Sequence, residues 1–251
     1  MINIMNFPLL IFALSFIVLV FSVNFGHSLQ VKLHPLHPSD REGFNVIQGA
    51  TLTLLALIIG FTFSMAVSRY DQRKNYEEDE ANAIGTEYVR ADLLPDSAAV
   101  RVRQLLTSYL EQRILFYTTR SPHKIEQINA DTTRLQDELW TSVNRAGPAT
   151  PLIALVVSGM NDVLNSQGYT QAAWWNRIPI GAWILMGIIA IGCNVLIGYS
   201  ALRKSRFLFL VLPLVISISF FLIADIDSPR GGVIRVSPKN LISLSHTLQV
   251  H

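Results

Sequence analysis

Residues 43–68 read GFNVIQGATLTLLALIIGFTFSMAVS, and residues 69–94 continue as RYDQRKNYEEDEANAIGTEYVRADLL. The first segment carries no Lys, Arg, Asp or Glu and exceeds the ~20 apolar residues that a membrane-crossing helix needs. The second is rich in charge, yet between Tyr70 and Leu94 it has no proline and a single glycine, Gly85. Its Glu77, Glu78, Glu80, Ala81 and Ala83 are mostly good helix formers. Nothing between the two segments breaks a helix. The reading is therefore one continuous helix that starts as a membrane span and runs on in water until Pro95. At 1.5 Å per residue about 50 residues extend roughly 75 Å, of which a bilayer core takes about 30 Å, so the rest forms a stalk.

Three further segments have the length and composition of spans, which places the four at 7–25, 46–68, 179–200 and 207–224. The first follows an N-terminus without a charged residue before Lys32, the third lies in a charge-free stretch, and the fourth is closed by Arg206 and Asp225. The first span lacks a basic n-region and its apolar run is long for a signal peptide, so it reads as an anchor. The composition agrees: half of the residues are hydrophobic, 15% are charged and mean hydropathy is +0.36. Soluble domains average about 25% charged residues, so the deficit argues against a soluble enzyme and against disorder. A net charge of +2 leaves no nucleic-acid footprint, and one cysteine allows neither an intrachain disulfide nor a cysteine zinc site. Trp174 and Trp175, just before span three, suit a membrane surface. Pro179 stands near a helix start, whereas Pro213 falls inside span four and should bend it.

Residues 69–176 have the composition of a helical, water-soluble part. After the stalk, Asp96 is placed to cap a helix reaching about Thr119, with Val102, Leu105, Leu106, Tyr109 and Leu110 on its apolar side. Ser121-Pro122 opens another, with Ile125, Ile128, Leu135, Leu139 and Val143 on one face and Gly147-Pro148 as its stop. Thr150-Pro151 opens a third, with Leu152, Leu155, Val156 and Val163, expected to end near Gly168. The tail at 232–237 reads as a short extended piece. The fold expected is all-α: a single integral membrane domain over 1–251, with four transmembrane helices and a helical extramembrane part between spans two and three.

Four spans place both termini and the helical part on one side of the membrane. Basic residues flank both sides: Arg69, Arg73, Lys74, Arg177, Arg230, Arg235 and Lys239 on one, Lys32, Arg41, Arg203, Lys204 and Arg206 on the other. Short loops weigh most in the positive-inside rule, and counting all flanks gives the opposite answer, so charge alone leaves the orientation open.

On a helical wheel of span two, Gly49, Thr53, Ala56, Gly60, Ser64 and Val67 share one face, with Phe63 at its edge. Leu54, Ile58, Phe61 and Met65 lie opposite. A small, partly polar face inside an apolar span either packs closely against another helix or lines an aqueous path. Span three has a weaker stripe of Gly187, Ala190, Asn194 and Gly198. Asn194 is expensive in lipid unless bonded, so it points inward, to a structural hydrogen bond before a transport role, and joins the span-two face as a pore-lining or helix-packing candidate. Asp225 and Asp227 read as structural caps or as partners of Arg230 before they read as a cation site. The run Glu77-Glu78-Asp79-Glu80 reads as a solvated face, since consecutive helical residues point all round the helix. His34, His37 and Asp40 lack a clear fourth metal ligand, and His27 stands alone near the interface. No P-loop, nucleophile elbow, H-E-x-x-H or nucleotide fingerprint is present. Neither a catalytic role nor a cofactor is expected.

The junction of span two and the stalk carries a distinctive string: Gln48-Gly49-Ala50, Leu55-Ala56-Leu57, Gly60-Phe61-Thr62-Phe63-Ser64-Met65-Ala66, Ser68-Arg69-Tyr70-Asp71, Glu80-Ala81-Asn82-Ala83-Ile84-Gly85-Thr86 and Tyr88-x-Arg90-Ala91-Asp92-Leu93-Leu94-Pro95. It resembles the bacterial bestrophin-like membrane family, as does the ending Asp225-x-Asp227-x-Pro229-Arg230-x-Gly232-x-Ile234. The run of pore aromatics and the acidic calcium clasp of bestrophins have no counterpart here. Bestrophins are pentameric anion channels with four spans, a helical cytoplasmic domain between spans two and three, and a pore lined by span two. The resemblance thus implies a homo-oligomer in a bacterial inner membrane that passes inorganic anions, with the termini and helical part cytoplasmic. The alternative is a non-conducting scaffold or signalling protein, in which the span-two face packs within its own subunit and the helical part binds a partner.

Overall fold

The structure is a computed structural model that describes residues 6–33, 38–147, 150–201 and 207–249, the side chains at 33, 38 and 208 excepted. The described residues form eight α-helices and no strand. These are α1 (Pro8–Leu33), α2 (Arg41–Arg90), α3 (Asp96–Thr118), α4 (Pro122–Asn144), α5 (Pro151–Trp175), α6 (Ile180–Ser200), α7 (Leu208–Asp227) and α8 (Lys239–Gln249). Four of the helical stretches are long and apolar enough to cross a membrane; they contain α1, α2, α6 and α7. The unbroken helix expected from the absence of breakers is α2, 50 residues long, followed by a 3₁₀ turn at Ala91–Leu93 before Pro95.

The chain divides into two compact units. One comprises Met1–Tyr70 and Arg177–Arg235, the other Asp71–Asn176 and Val236–His251. In the first, α1 packs against α6 and α7 around Leu19, Met186, Ala190, Cys193, Ile216, Phe220 and Ile223, with Leu55 and Ala66 of α2 in the same cluster. Two glycines set the α1–α6 crossing. A Cβ on Gly26 would overlap the carbonyl of Val195, and one on Gly198 would overlap the carbonyl of Val23. Backbones this close need small residues, the usual solution where lipid supplies no hydrophobic drive between helices. Pro213 lies inside α7, as expected.

In the second unit the apolar faces expected for α3 and α4 are buried: Val102, Leu105, Leu106, Tyr109 and Leu110 on one, Ile128, Leu135, Leu139 and Val143 on the other. Some details differ. Pro95, not Asp96, occupies the α3 cap position, and Asp96 begins the helix without a side-chain cap bond. Thr150 does cap α5, accepting from the Ile153 amide at 3.2 Å. However, α5 runs past Gly168 to Trp175, because Thr170, Ala173 and Trp174 are buried. That burial outweighs the ~1 kcal/mol that an interior glycine costs. The buried side of α5 is Val156, Gly159, Met160 and Val163, while Leu152 and Leu155 are exposed. Trp174 is no surface belt residue; its ring lies 4.9 Å from Phe116 and 5.4 Å from Tyr117, between centroids, and Trp175 is exposed. The tail at 232–237 forms no strand, and α8 follows it. Pro148, His34, His37, Arg203, Lys204 and Arg206 lie outside the described residues.

Candidate functional site

The candidate face of α2 is set by helical geometry. With 3.6 residues per turn, Leu55, Thr62 and Ala66 fall on one side, and all three are buried within the first unit. Gly49, Thr53, Ala56, Gly60, Phe63 and Ser64 fall on another side, and all six are exposed in the single chain. A Cβ added at Gly49 or Gly60 would meet nothing within 4 Å. Thr53 donates to the Gly49 carbonyl at 2.9 Å, so its hydroxyl is satisfied within its own helix. At one flank the face opens onto a groove of about 460 Å³, where Ala56, Gly60 and Phe63 stand across from Leu212, Val215 and Ser219 of α7. The face itself bears no charged group, so the field there comes from hydroxyls and backbone. Leu54, Phe61 and Met65 are exposed on the far side of α2.

Span three presents a different picture. Ala190, Asn194 and Gly198 are buried, whereas nothing lies within 4 Å of a Cβ placed at Gly187. Asn194 turns inward, and its amide nitrogen donates to the Ala190 carbonyl at 2.8 Å. The structure does not bring Asn194 onto the open α2 face, because its side chain is enclosed. The aspartates at the end of α7 act as caps. Asp225 accepts the Val233 and Ile234 amides, both at 2.8 Å. Asp227 accepts the Ile178 amide at 3.2 Å through each oxygen, joining the end of α7 to the start of α6. Carboxylates so occupied are poor cation ligands, and among the described residues no cluster of metal-binding side chains occurs. His27 is half-buried, edge-on to Phe209.

The acidic run on α2 overturns the solvated-face reading. Glu78 and Asp79 are exposed, but Glu77 and Glu80 are buried, as are Arg73 and Glu87. The spacing 73, 77, 80, 84, 87 alternates four and three, the period of one helix face, and Ile84 sits in its middle. Glu77 caps α8, accepting the Asn240 amide at 2.9 Å, its side-chain amide at 2.7 Å and the Leu241 amide at 3.0 Å. Glu80 pairs with Arg113 and accepts from Tyr117 and Thr170, both at 3.3 Å. Arg113 also stacks over Phe116 at 4.5 Å. Burial opposes its charge most strongly, but Glu80, Tyr109 and Tyr117 together outweigh it and hold the Arg113 pKa above the usual value. Burial and the Glu80 charge both push the Tyr109 and Tyr117 hydroxyls up. No motif marks this network; only the spacing of the charges gives it away.

An all-helical chain with four membrane-length helices and a charge-poor open face on the longest defines an integral membrane protein of the multi-pass helical class. The bestrophin-like domain profile matches residues 16–241, and the chain belongs to that family. Crystal structures share its fold at low identity. One is a point variant of a bacterial bestrophin homologue from Klebsiella pneumoniae: 12% identity, 97% of this chain and 98% of that chain covered, TM-score 0.65. A second variant of the same homologue is 13% identical, with 96% and 97% covered and a TM-score of 0.65. A structure described as a membrane protein is 12% identical, with 99% and 98% covered and a TM-score of 0.66. No curated protein matches the chain.

Proposed function

We propose that this chain is one subunit of a homo-oligomeric channel for small inorganic anions, with the α2 face of Gly49, Thr53, Ala56, Gly60, Phe63 and Ser64 turned to the conduction path. The observation that carries the reading is that this face is open in the single chain, although it lies within a charge-free apolar span. Small residues and hydroxyls facing lipid gain nothing; facing a water-filled path they leave width and a polar lining. Phe63, 40% exposed, is the bulkiest member of the face and its natural constriction. Membership of the bestrophin-like family supports the same plan. Residues 69–176 then form the extramembrane part of one bestrophin-like domain, with Asn194 a packing residue of span three. The reading assigns no catalysis, and it places the chain in the bacterial inner membrane with its termini and helical part in the cytoplasm. Reconstitution of the folded oligomer in liposomes, with a halide-flux assay, tests it. Flux that rises with protein content and falls in Gly60→Leu is the expected result. A folded oligomer without flux would instead favour the scaffold reading.

A further inference from the structure

Glu87 lies on α2 well beyond the charge-free span, and it is fully buried. Neither of its carboxyl oxygens has a hydrogen-bond partner. It faces α5 at Gly159, where a Cβ would overlap Glu87 Oε2 and the Arg90 guanidinium. The charged groups around it are few. Arg90 shares its helix, and Asp162 comes from α5 and lies 4.0 Å from Arg90. Asp92 of the 3₁₀ turn and Arg103 of α3 are paired with each other. Glu77 and Glu80, on the same face of α2, accept several N–H or O–H bonds each. Glu87 accepts none, and a buried carboxylate without donors is the costly case.

We propose that Glu87 is a proton-binding site, held as the neutral acid between α2 and α5, and that its ionisation loosens this packing in alkaline solution. Burial, with a smaller contribution from Asp162 and against the pull of Arg90, raises the carboxyl from 4.5 to about 8. Between those values the folded chain keeps a proton that the unfolded chain has released. The group's contribution to stability is therefore complete in acid and is lost as pH rises through about 8. Gly159 is part of the device, since it leaves the carboxyl room against the α5 backbone and admits no other side chain.

The test is thermal unfolding of the full chain in detergent from about pH 5 to about pH 9, wild type beside Glu87→Gln. The two should melt together near pH 5 and draw steadily apart as pH rises to about 8, the glutamine variant melting several degrees higher at the alkaline end. Parallel curves would overturn the proposal. A second pair of variants keeps Glu87 in place and covers the case in which Glu87→Gln does not fold. Asp162→Asn removes a like charge and should move the alkaline loss of stability to lower pH, while Arg90→Gln removes the favourable charge and should move it to higher pH. A purely structural role for these residues predicts no such opposite displacement, and its absence would also overturn the proposal.

Discussion

At the scale of the residue, two buried features carry most of the consequence. The first is the Glu80–Arg113 pair, whose side chains are both 0% exposed. Removing one partner of a buried pair leaves an uncompensated charge and typically costs about 3–5 kcal/mol. Arg113→Met should therefore destabilise the helical unit by about that amount, and adding Glu80→Gln should recover a good part of it; chemical denaturation followed by circular dichroism measures both. Equal losses in the single and double variants would mean that the pair acts only by filling space. The second feature is Gly198. Any larger residue drives α1 from α6 at the Val23 carbonyl, so Gly198→Leu should cost at least the ~1–3 kcal/mol typical of overpacking. Gly187→Leu, in open space on the same helix, should melt like wild type. Both substitutions touch one sequence stripe, and only contacts from α1 separate its members. The sequence placed Gly198 and Asn194 on one stripe of small residues and turned Asn194 inward, without deciding whether the stripe packs. The spacing of Arg73, Glu77, Glu80 and Glu87 marks one face of α2, but what covers Glu80 there is not local: its partners Arg113, Tyr117 and Thr170 lie 33, 37 and 90 positions away.

At the scale of the element, α2 was the most legible part of the chain and α8 the least, for a shared reason. Helix α2 is specified locally: apolar residues without breakers, then good helix formers without breakers, up to Pro95. Helix α8 is an 11-residue segment whose N-terminal amides are capped by Glu77, more than 160 positions away. A short helix is marginal in water by itself, and docking on α2 supplies what its own sequence lacks. Where α2 turns its small face was legible as a face, but not as an open one. Gly60→Leu decides its role. The added side chain meets nothing in its own subunit, so the fold of the chain should be unaffected and its melting unchanged. If the face lines a path, halide flux should fall severalfold or more while the oligomer stays intact in detergent. If it is the seam between subunits, the oligomer should dissociate. If it faces lipid, neither flux nor assembly should change, and the assignment of the pore to this face would be withdrawn.

At the scale of the whole molecule, the bonds from Glu77 to Asn240 and Leu241 constrain how the chain can thread a membrane. They tie the segment that follows the α2 span to the segment that follows α7 within one compact unit. Residues 77 and 240 must then lie on the same side of a bilayer, so the chain between them crosses an even number of times. The two membrane-length apolar segments between them, α6 and α7, satisfy this parity; loss of either as a span would violate it. Parity is indifferent to which side, as is the tally of basic flanks. A labelling experiment separates the two questions. Cys193, the one native thiol, is buried and silent to an aqueous reagent. Cysteines introduced singly at Gln127 on α4 and Gln249 on α8, both exposed, should behave alike in intact cells and in inverted vesicles. With the helical unit in the cytoplasm, a membrane-impermeant maleimide should leave both unlabelled in cells and label both in inverted vesicles. Labelling of both in cells would reverse the orientation and keep the four spans. Labelling of one without the other would break the parity, and with it the pairing of α6 and α7 as consecutive crossings.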